Sequence, residues 1–219
     1  MPDSLIVQLA IEEVETKTWG VTEQLLQIHE VVCINNRPEA IRVISEGDGK
    51  RSVVYFAIKG EKFYLVIYLD TKPEVKIIGV GTEPYHAVYF CASSDDLSFD
   101  ELSALTKLQP TGGWNKGQKR SFGQSLNKYS MICIEPNKGP DEFERKLRNL
   151  LNVLEQDENG ILQLVDCADG YIQAASIFHN GNTMLGGNHI EKDLIRRMAA
   201  LGLGIDFDLY AEGKKFLKD

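Results

Sequence analysis

The chain has 219 residues, 32 acidic against 24 basic, with a formal net charge of −8 and a pI near 5.1. Hydrophobic residues make up 43%, enough to fill a core, which argues against a disordered chain, and the acidic balance works against nonspecific binding to nucleic-acid phosphates. No run approaches the roughly 20 apolar residues of a membrane span, and MPDSLIVQLAIEEVE lacks the basic start and cleavage site of a signal peptide, so a cytoplasmic protein is expected.

Leu5, Val7, Leu9 and Ile11 alternate with polar or small residues and predict a first strand. Thr22 can cap a helix over 22–34, with Leu25, Leu26, His29, Val32 and Cys33 on one side, although Val31, Val32 and Ile34 suit a strand equally well. Pro38 fits a first helical turn and predicts a short helix to Ser45. After the turn EGDG, the runs 52–58 and 62–69 are rich in Val, Ile, Tyr and Phe and are separated by Lys59, Gly60 and Glu61, the pattern of a β-hairpin. Both runs are almost continuously apolar, which predicts cover on both faces. Val75 and Ile77 continue into another strand, and 81–84 is the candidate boundary between segments 1–82 and 83–219.

The second segment reads as alternating strands and helices. Residues 86–92 form a strand, and Ser98 with Glu101 forms a capping box for a helix over Phe99, Leu102, Leu105 and Leu108. A basic loop over 114–122 precedes a strand at 129–134. The longest helix spans 142–156, with Phe143, Leu147, Leu150, Leu151 and Leu154 at helical spacing. A further helical turn at 161–165 and a strand at 171–178 follow. Asn188 caps a helix bearing Ile190, Leu194, Ile195, Met198 and Leu201, which Gly202 stops. Ile205, Phe207 and Leu209 then alternate with Asp206, Asp208 and Tyr210 as a half-buried strand. The expected class is α+β: a mixed β-sheet with helices packed on one face, plus an amino-terminal β-rich extension packed against it.

The stretches HAVYFCASSDDLSFDELSALTKLQPTGGWNKGQ, DEFERKLRNLLNVLE and LIRRMAALGLGIDFDLY together resemble the bacterial domain of unknown function 4279 family, from near Tyr85 to Ala211. Leu108, Pro110 and Thr111, then Trp114, Lys116 and Gly117, then Phe207, Asp208, Leu209 and Tyr210 carry the likeness. The resemblance implies a fold class and a bacterial, cytosolic protein, with some members encoded near toxin genes. It implies no activity and no catalytic residue. Residues 1–82 lie outside it.

Four cysteines, Cys33, Cys91, Cys133 and Cys167, form no C-x-x-C pair and are expected as free thiols. His179 and His189 flank a polar hairpin loop but show no ligand spacing, His29 reads as a core histidine, and no metal or other cofactor is expected. Cys91 and His86 fall on opposite faces of one strand, which rejects a cysteine hydrolase. Asp206 and Asp208 share a strand face; they could hold a hard cation or do acid–base work, or could line a solvated face. The loop GGWNKGQKRSFG, with Trp114 and Lys116, could pack Trp114 on the core, bind a protein, or cradle phosphate or stack a base; it lacks the ending of a phosphate loop. Asp95, Asp96 and Asp100 cluster at a strand-to-helix turn where a partner could reach them.

No catalytic motif occurs, so the leading expectation is a non-enzymatic, acidic protein-binding module. Its most concrete form is a bacterial immunity protein that blocks a basic toxin. A small-ligand or nucleotide-binding regulator using the Trp114 loop is the second reading, and a hydrolase using Asp206 and Asp208 the third. Neither a membrane nor a nucleic-acid partner is expected.

Overall fold

The computed structural model describes residues 2–120, 123–182 and 185–215. The chain divides into two compact units. Unit 1 comprises Met1–Tyr85, Ser176–Gly186 and Leu209–Asp219, and unit 2 comprises His86–Ala175 and Gly187–Asp208.

Unit 1 opens with helix α1 (Pro2–Thr16), not a strand. The apolar residues of 5–14 satisfy both periods, and burial decides between them: Ile6, Ala10 and Val14, four apart, are buried. Helix α2 (Gly20–Ile28) follows. Its amino end is capped from α1, because the Glu13 carboxylate accepts from Trp19 N at 3.0 Å and Thr22 Oγ1 at 2.5 Å. The helix stops well short of residue 34. Val32 N instead donates to Ala57 O at 2.9 Å, as the β-branched run favours an extended chain.

The helix expected from Pro38 is absent. Strands β1 (Cys33–Ile34) and β2 (Arg37–Pro38) pair across Asn35 and Asn36, whose φ of 51° and 63° suit a two-residue hairpin turn. Strand β3 (Ala40–Ser45) pairs with β4 (Arg51–Ala57), and β4 with β5 (Phe63–Asp70), all antiparallel. The expected hairpin and its double burial are both present. Val54, Phe56, Leu65 and Ile67 lie under α1 and α2, while Tyr55, Tyr64 and Val66 are buried on the opposite face. Strand β6 (Lys76–Ser94) pairs antiparallel with β5 and continues through 81–84 without a break.

In unit 2, β6 pairs with β8 (Ser130–Ile134), and β8 with β7 (Gly112–Trp114), both antiparallel. Helix α3 (Phe99–Ala104) carries the complete capping box from Ser98 and Glu101. Helix α4 (Phe143–Leu154), a 3-10 turn (Glu155–Asp157) and α5 (Glu158–Cys167) follow, then β9 (Asp169–His179), α6 (Lys192–Ala200) and β10 (Ile205–Glu212). Ile172 N donates to Gly204 O, and Asn180 N to Glu212 O, so β9 and β10 advance together and run parallel around the α6 crossover. The sheet is therefore mixed, and the class is α+β. Leu147, Leu150, Leu151, Leu164, Leu194 and Met198 of the helices pack on one sheet face, against Phe90, Ala92, Ile132, Ile134, Ile172 and Ala174.

Two details of the closing unit differ from expectation. Helix α6 begins after Glu191, with no side-chain cap, rather than after Asn188. Strand β10 is not half-buried: as the last strand in the order it has β9 on one side only, and Phe207 and Leu209 are 42% and 60% exposed.

Candidate functional site at Trp114

Alternation along β6 and β8 sets the character of the sheet face away from the helices. Phe90, Ala92, Ile132 and Ile134 point into the core, so Tyr89, Cys91, Met131, Cys133 and Glu135 occupy the other face. Cys91 and Cys133 lie directly opposite each other in the ladder. Burial pushes their thiols up to about 12 and about 11, so both stay protonated and unreactive.

Trp114 joins this face from β7, opposite Met131. Gly113 makes that pairing possible: its φ is 147°, and a Cβ there would meet Met131 O at 2.2 Å and the Phe99 ring at 2.7 Å. The following loop is built rather than loose. Phe99 N donates to the Asn115 side-chain oxygen at 2.8 Å, and Lys116 N to Ser130 Oγ at 3.0 Å. Gly117 N donates to Asn127 O, and Asn127 N to Gln118 O, both at 2.8 Å.

Two concavities flank the indole. A cleft of about 440 Å³ is lined by Trp114, Gln118, Lys119, Arg120, Asn127 and Tyr129, with the two aromatic ring centroids 6.3 Å apart. A smaller pocket of about 170 Å³ is lined by Tyr89, Thr111, Trp114, Cys133, Glu135 and Lys138. Among the described residues, Trp114 Nε1 and Glu135 Oε1 are buried without a hydrogen-bond partner, and both residues line this pocket. Burial raises the Glu135 carboxyl above its ordinary range, against the opposing charges of Lys146 and Lys138. Both residues line the pocket, while the two unpaired atoms themselves are buried away from solvent.

The other residues singled out in the sequence divide. Lys116 Nζ donates to Asp95 O at 2.9 Å and lies 3.6 Å from its carboxylate, so these two predicted residues meet each other, but neither lines the two concavities at Trp114. Asp96 and Asp100 are exposed at the same turn, Asp100 within the first turn of α3. Asp206 and Asp208 lie on β10, four strands away from β7. The Gln173 amide donates to Asp208 Oδ2 at 3.2 Å, and both aspartates are exposed. Among the described residues no group of three His, Cys, Asp or Glu side chains converges as a metal site. Phe122 of the basic loop lies outside the described residues. Glu135 was legible only indirectly: it continues the alternation Met131, Cys133 past the end of an apolar strand.

A family model described as "Domain of unknown function (DUF4279)" matches residues 83–212, more than half of the chain. No curated protein and no solved structure matches.

Proposed function

This chain belongs to the family of the domain of unknown function (DUF4279), and we propose that it is a non-catalytic binding module that takes a basic protein partner at the Trp114 face. The observation that carries this reading is the small pocket lined by Trp114 and Glu135, whose indole N–H and one carboxylate oxygen are buried without a partner among the described residues. Its volume of about 170 Å³ suits one inserted side chain, below the roughly 300–1,000 Å³ of small-molecule sites. An arginine or lysine entering it would meet Glu135, favour the charged form of that carboxyl against the effect of burial and form a charge-assisted bond. Trp114, Tyr129 and Arg120 are residue types that dominate binding hot spots. The net charge of −8 would speed encounter with a basic partner. The role that fits is an immunity protein that neutralises a basic toxin.

The test is capture of partners from bacterial lysate by the full chain, followed by kinetics on the recovered protein. Glu135→Gln should weaken binding by roughly 2 kcal/mol or more, mainly through faster dissociation, because it removes the charge from a buried pair. Raising salt from about 0.1 M to 1 M should slow association. A captured partner bound equally well by Glu135→Gln and Trp114→Ala would sink the reading. A second reading, a small anionic ligand, is favoured by Lys119 and Arg120 lining the 440 Å³ cleft. It requires thermal stabilisation by a nucleotide that Arg120→Ala abolishes and Glu135→Gln does not.

A further inference from the structure

In unit 1, two histidines 150 positions apart meet: His29 Nε2 lies 3.3 Å from His179 Nε2. Both side chains are buried, at 7% and 0% exposure. His179 Nε2 also lies 2.9 Å from the main-chain carbonyl of Lys214. On the far side of the first ring, His29 Nδ1 faces Glu61 Oε1 at 3.6 Å. In the tautomer with its proton on Nδ1, towards that carboxylate, His29 presents a lone pair at Nε2. His29 Nε2 and Lys214 O both face His179 Nε2, and the three atoms become a set of lone-pair donors once the proton of His179 sits on Nδ1.

We propose that His29 and His179 hold a divalent transition-metal ion, zinc by ligand type, with the Lys214 carbonyl as third donor. Two zinc–nitrogen bonds of about 2.0–2.1 Å at a tetrahedral angle span about 3.3 Å, the separation found between the two ring nitrogens. Binding moves the His179 proton to Nδ1, leaving Nε2 to ligate. Glu61 occupies the outer-shell place that orients a ligating imidazole. The third donor is held by local packing: Gly213, at φ 85°, brings the chain so close that a Cβ would meet the Phe63 ring at 2.7 Å. Phe63 in turn packs on both imidazoles, with centroids 5.3 Å and 4.8 Å away, and forms an apolar wall. A cavity of about 520 Å³ bordered by His29, Lys59, Glu61 and Lys214 leaves room for a water or ligand at the fourth position.

The full-length chain, stripped with a chelator, is titrated with zinc chloride by calorimetry. One zinc per chain is expected. His29→Gln should weaken it at least ~100-fold, and Glu61→Gln about 10- to 100-fold. His189→Gln, and Cys33→Ser and Cys167→Ser at the exposed thiols, should leave it unchanged. Cobalt(II) loaded into the unsubstituted chain should give the intense visible bands of a tetrahedral ion, a readout that does not depend on any variant folding. No zinc uptake, uptake unaffected by His29→Gln, or only the weak bands of octahedral cobalt would each overturn the site.

Discussion

His86 and Lys146 show how a single buried position links burial to pH. Lys146, 1% exposed, donates from Nζ to His86 O at 2.5 Å and to Asn137 O at 3.2 Å. Burial first, and the Lys146 charge second, push the His86 imidazole from 6.5 down to about 4. Between these values the unfolded chain takes up a proton that the folded chain refuses. Stability from this residue is therefore full above about pH 6.5 and is lost as pH falls towards 4. Allowing for solvent access, the loss is about 2–3 kcal/mol. His179 is lowered mainly by burial too and adds in the same direction. Denaturant titrations across this range should show that slope, and His86→Gln should flatten it. An unchanged slope would mean that His86 is protonated inside the fold.

At the scale of elements, the same apolar side chain is worth different amounts on a helix facing the sheet and on a sheet edge. Leu150 of α4 is fully buried, so Leu150→Ala should cost about 2–5 kcal/mol. Phe207 of β10 is expected from alternation alone to be a core residue, with a truncation cost of about 3–5 kcal/mol. It is 42% exposed, and its main ring contact is Phe143 at 5.7 Å, so Phe207→Ala should cost only about 1–2 kcal/mol. Paired melting curves decide this. A Phe207→Ala cost matching that of Leu150→Ala would put β10 back in the core.

At the scale of the molecule, unit 1 is assembled from three separate pieces of chain. A fragment of residues 1–82 would lack the β6 residues opposite Phe63 and Tyr64, and would lack His179, which packs on Phe63. It should show no cooperative thermal transition, because β5 loses its pairing at the buried Phe63 and Tyr64 and that end of the strand opens to water. A cooperatively melting fragment would show that 1–82 carries a complete core. Among the described residues no helix is long and apolar enough to cross a membrane.

Features with local causes were legible in the sequence. The Ser98–Glu101 capping box joins groups three residues apart, the β4–β5 hairpin declares itself through two β-branched runs, and the apolar stripe of α4 repeats within its own turns. The family match over residues 83–212 likewise follows from the residues alone. Tertiary structure decided what depends on distant neighbours. Residues 5–11 fit two periods, and only packing on β4 and β5 selects a helix. Likewise, β10 has the alternation of a half-buried strand, but its place at the sheet edge leaves it exposed. Trp114 was a candidate from its loop, but Glu135, which shares its pocket, comes from the residue just after β8. His29 and His179 meet across 150 positions. Spacing along the chain carries no signal for such a meeting, because caps and periodicities act over a few residues, whereas burial and convergence are set by whichever segments the fold brings together.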